Sequence, residues 1–126
     1  MARPKKITKY APTEEMINII SHGVGFVLSI VALVLLVVRA SIYGTAIHIV
    51  SFTVFGTSLI VLYLASTLYH ASKREKLRAR LNVFDHASIF ILIAGTYTPI
   101  LLILLTNSLG WASFWAVWGI AAFGIQ

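Results

Sequence analysis

The chain has 126 residues, of which 59% are hydrophobic and only 11% charged, with a mean hydropathy of +0.90. That leaves too little polar surface to coat a soluble globule of this size, so the composition reads as a membrane protein. Zero cysteines exclude disulfides and thiolate ligands, and the net charge of +6 sits in the gaps between apolar runs, where it reads as a topology signal with membrane lipids, not nucleic acid, as partners.

Residues 1–12 form a short basic tail with Arg3, Lys5, Lys6 and Lys9. Thr13 is the expected N-cap of the first helix, and Glu14 and Glu15 fall in its first turn, where the helix dipole favours negative charge. The apolar run from Ile19 to Val38, about 20 residues, is long enough to span a bilayer, and no small-residue cleavage site follows it. It therefore reads as a retained helix over 16–38. Arg39 to Gly44 is a turn, and a second span is expected over 45–70. Ala71 to Val83 reads as a loop with Lys73, Arg74, Lys76, Arg78 and Arg80 against Glu75 alone. Its basic residues suit topology and lipid headgroups, with Leu77 and Leu81 as a short amphipathic turn. The third span, 84–105, contains Pro99, which should kink it, with the Thr96 and Thr98 hydroxyls satisfying freed backbone groups. A fourth span, 110–126, begins with Trp111, Trp115 and Trp118 in the manner of an interfacial belt. The apolar run stops at Gln126 with no basic residue after it, and a truncated bundle is expected.

Four Lys and Arg lie in the tail and five in the second connection, against Arg39 alone in the first connection. The positive-inside rule then places the N-terminus and the Ala71–Val83 segment in the cytoplasm, in an integral protein of a plasma membrane. This bias of charge argues against a small dual-topology transporter. It also gathers the polar residues at one face: Glu15, Asn18, Ser21 and His22 open the first span, Ser66 and His70 close the second, and Asp85 and His86 open the third. Ionisable residues are expensive to keep in lipid, so three such groups at one depth suggest a site.

Glu15, Asn18 and His22 share one helix face at i, i+3, i+7, with Ser21 beside it, and Ser66 and His70 stack at i, i+4. Asp85 is placed to accept a proton from an imidazole or a water. A histidine with a carboxylate nearby is the usual composition of a zinc site that activates water. The competing reading is structural, since polar residues at helix ends cap helices or bond across bundles, and Ser21, Gly25 and Ser29 form a small-xxx-small row for close packing. His48, near the opposite face, reads as structural; the spacing gives His86 no role.

Glu15, Asn18, Ser21 and His22 match the Glu-x-x-Asn-x-x-Ser/Thr-His opening of the hemolysin III and progestin/adipoQ receptor superfamily. Ser66 and His70 match its Ser-x-x-x-His motif, Asp85 stands at its third-helix aspartate, and Gly95 to Pro99 resembles the bacterial branch. The resemblance implies an all-α, seven-helix membrane bundle, of which about four helices are present, with zinc near the cytoplasmic face. It makes His70 a zinc ligand alongside two histidines, four apart, on the last helix, and Asp85 a contact to the metal through water. Those two histidines are absent from these 126 residues, so this chain is expected to bind zinc weakly or not at all.

Two functions compete on this reading. One is a zinc-dependent membrane hydrolase of lipid amides or similar bonds, with Asp85 and Ser66 as candidate catalytic groups. The other is a pore-forming or membrane-perturbing hemolysin, or a receptor-like protein without catalysis. No span carries the continuous polar stripe of a water-filled lumen, which favours the hydrolase.

Overall fold

The computed structural model describes residues 10–125, so the tail residues Arg3, Lys5, Lys6 and Lys9 and the terminal Gln126 lie outside the described residues. It is all-helical, with α1 Pro12–Tyr43, α2 Ala46–Ala71, α3 Glu75–Pro99 and α4 Ser108–Ile125. A π-helical turn, Ile100–Leu104, continues α3. All four helices, α3 counted with its π-turn, are long and apolar enough to cross a membrane.

The boundaries differ from expectation for identifiable reasons. Thr13 is not the N-cap: Ala11 holds that position without a side-chain bond, and Pro12 opens the helix. Proline suits a first turn because its missing N–H would have no partner there anyway. The expected loop Ala71–Val83 is mostly helix, since α3 starts at Glu75. Its Lys, Arg, Leu and Ala residues are good helix formers, and charge concealed that propensity. Leu77 and Leu81 therefore lie on the opening turns of a long helix. Arg39 lies within α1, and Gly44 and Thr45 alone join α1 to α2.

Pro99 ends the regular α-helix, as the loss of its N–H requires, and the chain passes into the wider π-turn. The threonine hydroxyls do not serve the carbonyl that proline frees, which belongs to Gly95. Thr96 donates to Leu92 O at 2.8 Å and Thr98 to Ala94 O at 2.8 Å. Thr98 instead links helices, because its oxygen accepts the Trp118 Nε1–H at 3.0 Å. Trp118 is thus half-buried against α3, while Trp111 and Trp115 are exposed.

The helices form a row in chain order, α1 on α2, α2 on α3 and α3 on α4. Their interior is built mostly of small residues: Ser29, Ala40, Ser51, Ser58, Ser66, Ser88, Ala94, Thr98 and Ala121 are buried, with Tyr69 and Leu102 the large exceptions, whereas Leu35, Ile42, Leu104 and Phe123 face outward. Apolar side chains gain nothing by leaving lipid, so helices associate through small residues that let backbones approach. At Gly95 a Cβ would lie 2.1 Å from Ser58 Oγ, and at Gly56 2.6 Å from Leu33 Cδ1. This antiparallel row brings the start of α1, the end of α2 and the start of α3 to one end.

Candidate functional site

At that end, a carboxylate from the first turn of α1 meets the last turn of α2. His70 donates its Nδ1–H to Glu15 Oε2 at 2.9 Å. The other oxygen of Glu15 accepts from Arg78 Nη2, so one carboxylate answers two donors on two other helices. The side chains of His70, Arg78 and Glu15 are 8%, 14% and 19% exposed, sheltered enough that an unpaired charge would be costly. Arg78 Nη1 also donates to the carbonyls of Tyr69 at 3.2 Å, Ser72 at 3.3 Å and His70 at 3.5 Å. These carbonyls belong to the end of α2, where backbone acceptors lack intrahelical partners and the dipole attracts a cation. Its guanidinium rests 4.6 Å over the Tyr69 ring.

About two turns further along α1 and one turn back along α2, His22 Nδ1 is hydrogen-bonded to Ser66 Oγ. The His22 and His70 rings meet edge to face with centroids 5.9 Å apart. Tyr10 and Tyr69 flank His70 at 5.3 and 4.9 Å, and Tyr63 flanks His22 at 5.9 Å. Ser66 differs from most other buried hydroxyls on these helices. Ser29, Ser58 and Thr98 each bond the carbonyl four residues back, whereas Ser66 reaches across to another helix.

The structure therefore joins Glu15, His22, Ser66 and His70, four of the residues singled out in the sequence. Asn18 and Ser21 stand apart from them: Ser21 is exposed and donates to the Asn18 carbonyl at 3.3 Å. Asp85 is half-buried, its carboxylate takes no hydrogen bond from the described residues, and its backbone oxygen accepts from Ser88 at 2.7 Å. His48 is structural: its Nδ1 accepts the Thr45 N–H at 3.2 Å in a capping box that starts α2. His86 is exposed and donates to Asn82 O at 2.9 Å. The residue that the sequence concealed is Arg78, assigned with its basic neighbours to lipid headgroups. Nothing in its local sequence distinguishes it from Arg74 or Arg80.

The donor chemistry fits a metal in part. With Nδ1–H committed to a carboxylate, His70 keeps a lone pair on Nε2, which is how metal-binding imidazoles are commonly oriented. Among the described residues, however, no three His, Cys, Asp or Glu side chains are grouped to hold an ion. They supply one oriented ligand, not a closed site.

Four helices long and apolar enough to cross a membrane, with a histidine–carboxylate cluster at one end of the bundle, define a polytopic membrane protein. The chain belongs to the Haemolysin-III related family, which matches residues 10–126. It is 48% identical to Hemolysin-3 of Bacillus cereus and 50% identical to the Hemolysin-3 homolog of Bacillus subtilis (strain 168), each over 89% of this chain. The alignments cover 51% and 53% of those proteins, so the chain spans about half the length of the curated relatives it matches. No solved structure matches it.

Proposed function

We propose that this chain carries part of the site of a zinc-dependent membrane hydrolase acting on lipid amides or similar bonds. The observation that supports this reading best is the Glu15–His70 hydrogen bond, which prepares one imidazole as a ligand. Zinc held partly by His70 would supply a water of lowered pKa. Glu15 fixes the ring, Arg78 balances the carboxylate, and Ser66 anchors His22 beside it. Asp85, with its carboxylate free of partners among the described residues, is the group available to orient a water or accept its proton. In this reading the cluster faces the cytoplasm, on the side that carries the exposed basic residues of α3. Intact protein purified with zinc should hydrolyse a lipid amide in detergent, and the activity should vanish in Asp85→Asn and His70→Ala; full turnover in both variants rejects the assignment.

The relatives' name favours a second reading, membrane perturbation. Against a pore through this row of helices, the buried hydroxyls of Ser29, Ser58, Ser88 and Thr98 bond their own helix backbone, which leaves Ser51 as an isolated buried hydroxyl without a partner among the described residues and not part of a continuous polar stripe. Liposomes holding the intact protein should stay tight to small dyes. Metal-independent dye release, absent with a control membrane protein, would establish the pore instead.

A further inference from the structure

Of the five basic residues between α2 and the middle of α3, Arg78 alone is turned inward; Lys73, Arg74, Lys76 and Arg80 are exposed. Its fork reaches His70 by two routes. Nη1 gathers the final carbonyls of α2, including that of His70. Nη2 holds the Glu15 oxygen that is not bonded to His70. No Cα pair brings α1 and α3 within 8 Å, so the Glu15–Arg78 ion pair bridges helices whose backbones stand apart.

Resting on the reading of His70 as a metal ligand, the geometry points to Arg78 as the positioning residue that fixes the His70 tautomer. A glutamate on the opening turn of a helix has several rotamers, and a single bond to an imidazole would not select one. The rigid fork of Arg78 selects it, because one nitrogen stays with the α2 carbonyls while the other meets Glu15. With Glu15 held, the His70 proton stays on Nδ1 and the lone pair on Nε2. Arg78 thus acts from the start of α3, through the start of α1, on a ring at the end of α2. A compact ammonium on a flexible stem has three donors but no rigid fork to space two of them for both partners.

The test reads the ring nitrogens of His70 by 15N NMR in the metal-free chain, purified in detergent micelles. Recorded at alkaline pH, where an imidazole is neutral, the chain should show a protonated Nδ1, with a downfield hydrogen-bonded proton, and an unprotonated Nε2. Arg78→Gln should lose the downfield proton and mix the tautomers. Arg78→Lys keeps the charge and the apolar stem, so it preserves the helix ends if Arg78→Gln fails to fold, and it should show the same loss. Lys76→Gln and Arg80→Gln should match the parent chain. A parent-like His70 pattern in Arg78→Lys, or in folded Arg78→Gln, overturns the proposal and returns Arg78 to a lipid-headgroup role. Absence of zinc or activity in the intact protein would sink the functional reading and leave this result standing.

Discussion

The indole of Trp118 donates to Thr98 Oγ1 at 3.0 Å, one residue before the proline that ends the α-helical part of α3. The same hydroxyl donates to Ala94 O, so Thr98 closes its own helix and holds α4 with one atom. Interhelical hydrogen bonds in membranes contribute modestly, about 0.6 kcal/mol on average. Trp118→Phe should therefore cost under about 2 kcal/mol and leave helicity intact. Detergent-denaturant unfolding followed by circular dichroism checks this, and a collapse of the fold would show that Trp118 carries more than this bond.

At the α2–α3 contact the expectation is harsher. A Cβ on Gly95 would fall 2.1 Å from Ser58 Oγ and 2.7 Å from its Cβ, and although the hydroxyl could rotate, the Ser58 Cβ is fixed to the backbone and cannot yield. Gly95→Ala should destabilise by about 1–3 kcal/mol, in the range of overpacked cores. Ser58→Gly should recover most of that loss in the double variant. Additive unfolding energies would mean that the two residues do not share the space.

Zinc content separates ligand from neighbour. In the intact protein, His70→Ala should abolish stoichiometric zinc. Glu15→Gln, which leaves the ring but weakens its orientation, should lower affinity by about 10 to 100-fold. Elemental analysis and competitive chelation measure both, and equal zinc in His70→Ala and the parent would remove His70 from the ligand set.

Orientation can be read by labelling. Lys73 lies in the α2–α3 connection and Ser108 opens α4, and both are exposed. With cysteine introduced at each, a membrane-impermeant maleimide added to intact cells should modify Ser108→Cys only, and lysis should expose Lys73→Cys. Labelling of both from outside would dismantle the one-faced site.

The spans were legible in the sequence because hydropathy marks them without ambiguity, and spans that reverse direction put Glu15, His22, Ser66 and His70 at one end; the sequence could not separate these four from Asn18, Ser21, Asp85 and His86, which it placed with them. Helix ends were not legible. The Lys- and Arg-rich opening of α3 looked like a loop because charge and helix propensity point opposite ways there, and tertiary contacts decide. The sequence likewise showed Asp85 as the carboxylate nearest to hand for a histidine, whereas Glu15, 55 positions from His70, is the one that reaches it. That choice depends on helix rotation, which composition does not encode. Arg78 was invisible for the same reason: its role comes from the 63 positions that separate it from Glu15 being folded back on themselves.

An interior of serine, alanine and glycine reverses the usual map of mutational tolerance. Where lipid wets Leu35, Ile42, Leu104 and Phe123, one bulky apolar residue can replace another with little consequence, so these outward large side chains, unlike the buried Tyr69 and Leu102, are the interchangeable part of the molecule. The smallest ones are not: at Gly95 or Gly56 a single added methyl group acts as a wedge between two helices, and Ser58 and Ala94 are buried beside them. Substitution scanning should thus find variation tolerated on the greasy exterior and forbidden along a thin seam of the smallest residues, the opposite of the pattern in a water-soluble globule.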